Sequence, residues 1–173
     1  MPVELDAIIN NILDIHTIDV TRYVAPYYQT KWLMLSSLFF LMPCAYGYMS
    51  EQYFLSIISF LTSTCSINFW RDANYSYRRT IDVIMARITV FVYMGYGVIN
   101  VTKLPYVIAG YTGLFGVIYC YYMSNKHGDS ELWWKFHMLF HFLISSVQMI
   151  AIKCINDNTM FLKDVSQQLI CEN

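Results

Sequence analysis

Apolar residues occur along the chain in five long runs that short polar segments separate. A helix needs about 17 to 25 mostly apolar residues to cross the hydrocarbon core of a membrane. The runs cover residues 32–49, 53–70, 81–100, 104–123 and 132–152. The third run is the weakest candidate, because it contains Asp82 and Arg87. The pattern predicts five membrane-spanning helices.

The connections between the runs are short. Residues 50–52 alone separate the first two runs, which predicts a tight helical hairpin, and Pro105 stands at the start of the fourth, where its missing N–H costs little. The fold class is therefore an all-α polytopic transmembrane helical bundle of about five spans. We expect an amphipathic N-terminal segment at residues 1–30, the bundle at 31–153 and a polar tail at 154–173.

The segment before the first run has the spacing of an amphipathic helix of about three turns. Its apolar positions are Leu5, Ile8, Ile9, Ile12 and Leu13. The polar face is acidic, which disfavours adhesion to anionic lipid. We therefore expect residues 1–20 to pack against the bundle or against a protein partner.

Composition supports a membrane protein and argues against other classes. The chain is 57% hydrophobic and only 13% charged, whereas soluble domains carry about a quarter charged residues. A net charge of −1 gives no basic surface for nucleic acid. Its five cysteines lack the paired spacing of a disulfide framework. Membrane lipids are thus the expected surroundings and partners.

Lysine and arginine near the spans are unevenly divided between the two sides of the membrane. One side holds Arg22, Lys31, Arg71, Arg78, Arg79, Lys126 and Lys135, and the other holds Lys103, Lys153 and Lys163. Because basic residues favour the cytosolic side, the division predicts a cytosolic N-terminus and a C-terminus across the membrane.

Polar and small residues recur at helical spacing within four of the runs, and polar groups in spans normally face other helices or a wet cavity. They are Ser56, Ser59, Ser63 and Ser66 in the second; Asp82, Thr89, Tyr93, Tyr96 and Asn100 in the third; Ala109, Gly110, Gly113 and Gly116 in the fourth; and His137, His141, Ser145 and Gln148 in the fifth. The serines, tyrosines and small residues are typical of helix packing.

The two histidines and Asp82 are the candidates for chemistry. His137 and His141 are four residues apart, so their rings share one helix face, a spacing that lets two imidazoles bind one metal ion. A hydrogen-bonded core pair fits the same spacing.

Asp82 lies in the first turn of its run, where Arg78 and Arg79 can neutralise it. The predicted topology brings Ser66, Asp82 and both histidines to the same side of the membrane. Arg87 needs a partner, water or a lipid head group, or it can snorkel.

With these residues placed, the sequence resembles the CREST superfamily of membrane hydrolases, which includes alkaline ceramidases, progestin and adipoQ receptors, and hemolysin III-type proteins. The family pattern is Ser-x-x-x-His at the end of the second helix, an Asp near the start of the third, and His-x-x-x-His in the last. LTSTCSINFW supplies Ser66, SYRRTID supplies Asp82, and KFHMLFHF supplies His137 and His141.

The resemblance implies a zinc-dependent lipid amidase or esterase. His137 and His141 would bind zinc, Asp82 would orient or deprotonate the metal-bound water, and Ser66 would hydrogen-bond that water or the developing oxyanion. Two features depart from the family. This chain has Trp70 where the family has its third zinc-ligating histidine, and it has five spans rather than seven. Cys65, Asp72 or Asp82 could supply the third ligand, or the site is catalytically degenerate.

Two other functions fit the same pattern. A non-enzymatic membrane scaffold would use the polar stripes only to hold helices together and the N-terminal segment to recruit a partner. A small transporter or channel subunit would line a path with Asp82, Arg87 and the histidines. Metal content separates the hydrolase from both alternatives, and ion flux in liposomes separates the transporter from the scaffold.

Overall fold

The computed structural model describes residues 24–128 and 130–171, with side chains through residue 159. The described chain contains five helices long and apolar enough to cross a membrane. They are α1 (Tyr27–Met49), α2 (Tyr53–Trp70), α3 (Tyr77–Asn100), α4 (Leu104–Lys126) and α5 (Trp133–Cys171), whose apolar part is Trp133–Thr159. The predicted all-helical membrane bundle is confirmed, whereas the predicted helix at residues 5–13 lies outside the described residues.

Four of the five helices extend beyond the apolar runs that predict them. α1 begins five residues before its run, and α5 continues through the polar tail to Cys171. A helix satisfies its own backbone hydrogen bonds, so it has no need to end where the hydrocarbon core ends. Only α2 matches its predicted limits, and a polar segment flanks it on each side.

α1 is interrupted by a 3₁₀ turn at Ser37–Phe40. The hydroxyls of Ser36 and Ser37 both donate to the Leu33 carbonyl, at 2.9 and 2.8 Å, and such bonds compete with the regular helical pattern. Pro43, one turn later, has no N–H to bond the carbonyl four residues earlier. Together these residues explain why the helix tightens in the middle of the span.

α1 and α2 form the predicted tight hairpin. Glu51 has a φ of 59° in the connecting turn. A methyl group at Gly47 would lie 3.3 Å from the Ser56 backbone nitrogen, so glycine permits the close approach of the two helices. The Ser56 hydroxyl donates to the Cys44 carbonyl at 2.7 Å across the same contact.

α5 is the helix on which the rest of the bundle is built. α1, α3 and α4 pack against it, and α2 packs against α1 and α3. Two clusters of buried apolar residues lie one at each end of the bundle. The first contains Leu55, Ile58, Tyr93, Ala151, Ile152 and Ile155, and the second contains Leu33, Phe69, Trp70 and Ala73. Buried polar side chains lie between these clusters.

The fourth helix meets α5 through two of its three glycines. A methyl group at Gly113 would lie 2.5 Å from Val147 Cγ2, and one at Gly116 would lie 3.2 Å from Leu143 Cδ1. Nothing lies within 4 Å of the corresponding position at Gly110. The prediction of close helix approach is confirmed for Gly113 and Gly116. It is wrong for Gly110, where an added methyl group would meet no neighbouring atom.

Hydrogen bonds join α1 to the start of α5. The Tyr28 hydroxyl donates to Glu131 in the loop before α5, and this bond lowers the pKa of the Glu131 carboxyl below its usual value. Gln29 donates to the Tyr28 hydroxyl and accepts from Trp133 Nε1, each at 3.0 Å. The contacts fix the two helix ends beside each other and set the register between α1 and the histidines of α5.

Candidate functional site

The serine stripe of α2 faces the bundle interior, as predicted. Ser59 and Tyr93 hydroxyls are 2.7 Å apart, which joins α2 to α3. Ser63 donates to the Ser37 carbonyl at 2.9 Å, and Ser66 and Ser37 hydroxyls are 2.9 Å apart, which joins α2 to α1. Each of these hydroxyls is buried and paired, which is how polar groups are tolerated inside a membrane bundle.

Asp82 is half-buried on α3, close to the Ser66 side chain of α2. The neighbouring arginines have other partners, because Arg78 forms an ion pair with Asp72 at 3.1 Å and Arg79 lies 5.3 Å from the Tyr75 ring centroid. The predicted neutralisation of Asp82 by these arginines is therefore not observed. The carboxyl group turns toward the α2 serines instead.

Only part of the predicted polar face of α3 faces the bundle interior. Thr89 and Tyr93 are buried, and the Thr89 and Thr62 hydroxyls are 2.6 Å apart. Tyr96, which the spacing places on the same face, is 37% exposed. The polar face of α3 therefore follows α2 over the middle of the helix and leaves the bundle near its end.

His137 and His141 lie side by side in the interior. Their ring centroids are 4.8 Å apart and their planes are inclined at 74°. His141 is buried, with Nδ1 at 2.8 Å from Ser36 Oγ, and His137 Nδ1 is 3.5 Å from Ser124 Oγ. Both hydrogen bonds found in the described part of the chain involve Nδ1. In metal sites a bond of this kind fixes the ring, and the other nitrogen, here Nε2, is the ligand.

Trp70 occupies the space beside the histidine pair. Its ring centroid is 5.2 Å from that of His137, with the planes at 71°, and its side chain is buried. The indole nitrogen has no hydrogen-bond partner among the described residues. An indole cannot ligate a metal ion. The Trp70 ring therefore adds an aromatic contact beside the two imidazoles and no third ligand.

A line of contacts connects the predicted site residues through all five helices. Asp82 interacts with Ser66, which pairs with Ser37 on α1. The next residue of α1, Ser36, pairs with His141, whose ring packs against His137. Ser124 of α4 then contacts His137. The structure thus brings the four predicted residues into one interior, and α1 supplies the connection.

Ser36 and Ser37 of the first span were not among the predicted site residues. The available signal was a pair of adjacent serines in an otherwise apolar run. Both are almost completely buried. Since adjacent helical residues point about 100° apart, one serine faces α5 and the other faces α2.

The donor set is incomplete for a catalytic zinc ion. Among the described residues, no group of three or more His, Cys, Asp and Glu side chains is arranged to hold a metal. Catalytic zinc normally has three protein ligands, and the histidines supply two. Asp72, one predicted alternative, is paired with Arg78, while Cys65 is half-buried on α2. The residues present supply two of the three ligands that a catalytic zinc site needs.

Comparison with protein-family models, with curated proteins and with solved structures gives no match to this chain.

Proposed function

We propose that the chain is a five-span relative of the CREST membrane hydrolases in which the hydrolase centre is catalytically degenerate. The observation that supports this most directly is the arrangement of His137 and His141. A serine hydroxyl lies at Nδ1 of each ring, so Nε2 is the nitrogen that would bind a metal ion. A hydrogen bond at one ring nitrogen, with the other nitrogen as ligand, is the arrangement that metal-binding histidines normally have.

The roles of the other residues follow from their places. A zinc ion bound at the histidines would lower the pKa of a bound water and polarise a lipid carbonyl. Asp82 would accept a proton, and Ser66, whose side chain lies close to the Asp82 carboxyl, would hold that carboxyl in position. The expected substrates are membrane lipids with an amide or ester bond.

Trp70 is the reason for proposing a degenerate centre. Its ring lies against His137, on the side from which a family member would extend its third histidine. Two imidazoles bind zinc far more weakly than three ligands, so we expect the wild-type chain to hold little metal and to hydrolyse lipid amides poorly.

Elemental analysis of protein purified in detergent without chelator tests this proposal. Trp70→His is expected to raise the zinc content from a small fraction to about one ion per chain, because it restores a third nitrogen ligand. The Trp70→Phe variant is the matched control, since it also loses the indole but gains no ligand. His137→Ala in the Trp70→His background should return the zinc content to the control value. A folded Trp70→His protein without zinc would overturn the proposal.

A scaffold is the second candidate, and one observation favours it. The buried hydroxyls of α2 are satisfied within the protein, through Tyr93, Thr89 and Ser37. Such a network can hold helices together without any ligand. If the Trp70→His, Trp70→Phe and wild-type proteins are equally free of metal, this function replaces the degenerate hydrolase.

We further propose that the N-terminus is cytosolic, on the basis of the seven-to-three division of basic residues near the spans. Single cysteines placed in residues 71–76 and 124–131, in a background without native cysteines, should react with a membrane-impermeant maleimide from the same side as a cysteine at residue 20. A cysteine in residues 101–103 should react from the opposite side. Labelling of the first two loops from different sides would contradict the topology.

A further inference from the structure

Gln148 of α5 is buried in the bundle without a hydrogen-bond partner. The residue is 1% exposed. Neither its amide oxygen nor its amide nitrogen has a partner among the described residues. A primary amide carries two N–H donors and an acceptor oxygen, and burying these groups unpaired costs free energy. Buried polar atoms of native proteins normally pair with protein or with bound water, so the Gln148 amide calls for a partner.

Ser145 lies on the same face of α5, one turn before Gln148. Side chains three residues apart on a helix have their Cβ atoms about 5 to 6 Å apart. Ser145 is also buried, and its hydroxyl donates to the His141 carbonyl at 2.8 Å. Because the hydroxyl oxygen is the donor in this bond, it keeps lone pairs that can accept a further hydrogen bond. An acceptor and an amide donor therefore face the same interior.

The surroundings of Gln148 restrict what can bind there. Ile152, the next residue on this face, is fully buried in an apolar cluster with Leu55 and Tyr93, which closes the bundle beyond Gln148. The buried polar residues of the described chain include no Asp, Glu, Lys or Arg, so the interior holds no counter-charge for an ion. The ligand is therefore small and neutral, and it both donates and accepts.

We propose that an ordered water molecule is bound inside the bundle between Gln148 and Ser145. The water donates one O–H to Ser145 Oγ and accepts from Gln148 Nε2. Buried waters typically bond to polar groups that lack other partners, and one water needs only about 10 to 15 Å³ of room. Since Ser145 donates to the His141 carbonyl, the water extends the polar interior from the histidine pair to Gln148. The site needs no metal, so it is compatible with a degenerate hydrolase and with a scaffold.

Magic-angle-spinning NMR of the full chain in lipid nanodiscs, with isotope-labelled glutamine, tests the site. Magnetisation transfer from water should give a cross-peak at the Gln148 side-chain amide, which Gln148→Met identifies by removing the signal. Gln52, half-buried in the turn between α1 and α2, is the positive control. Ser145→Ala should remove the Gln148 cross-peak, because the water loses a partner. Ser146→Ala should retain it, since that hydroxyl is exposed and donates to the Phe142 carbonyl.

Unfolding with sodium dodecyl sulfate gives a second readout that does not depend on detecting water. If the amide had no partner, Gln148→Met would raise the midpoint of unfolding, because it removes two unpaired polar atoms and keeps the length of the side chain. With water bound, the substitution removes a satisfied hydrogen bond and should lower the midpoint. A raised midpoint would overturn the proposal. So would a wild-type spectrum in which water reaches Gln52 and not Gln148.

Discussion

Gly113→Leu is expected to lower the free energy of unfolding by about 3 kcal/mol, at the upper end of the cost of overpacking a close contact. Even a methyl group at this position would lie 2.5 Å from Val147 Cγ2. Valine in a helix has one strongly preferred χ1 rotamer, so Val147 cannot readily turn away. The larger leucine side chain would force α4 away from α5, which is its principal packing partner.

The adjacent turn of the same helix provides the control. Gly110→Leu adds the same atoms where nothing lies within 4 Å of the new Cβ, and it should change the stability little. Both variants would be unfolded by titration with sodium dodecyl sulfate in mixed micelles, with loss of tryptophan fluorescence as the signal. Equal stability losses for the two variants would show that Gly113 does not lie at the α4–α5 contact.

The number and type of the helices could be predicted from the sequence because a membrane leaves few choices. An apolar run of sufficient length must become a helix, since its backbone finds no hydrogen-bond partners in lipid. The ends were less predictable. α1 begins at Tyr27 and α5 reaches Cys171, because polar residues outside the hydrocarbon core can continue a helix that has already formed.

The candidate site was predictable to the extent that each residue lies on one helical face. The spacing of His137 and His141 places their rings together, and the structure confirms the contact. The partner of Arg78 was not predictable, because Asp72 competes with Asp82 for it across a loop that sequence spacing does not describe. The link through α1 was also hidden, since a serine in a span bonds equally well to its own helix or to a neighbour.

The contact between Ser36 and His141 joins α1 to the histidine pair. The Ser36 Oγ and His141 Nδ1 atoms are 2.8 Å apart. Cysteines at these two positions should lie close enough for a disulfide, which requires Cβ atoms about 3.5 to 4.5 Å apart, after small adjustments. The neighbouring residue Leu35 is 52% exposed, so it points away from α5 and supplies a matched control.

The measurement is disulfide formation in membranes, with all native cysteines replaced by alanine and a membrane-permeant copper–phenanthroline oxidant. We expect nearly complete cross-linking of the Ser36→Cys/His141→Cys chain, read by mass spectrometry of the linked peptides, and little cross-linking of the Leu35→Cys/His141→Cys control. Cross-linking of the control pair in preference to the Ser36 pair would contradict the convergence of the polar residues on one interior, and with it the site.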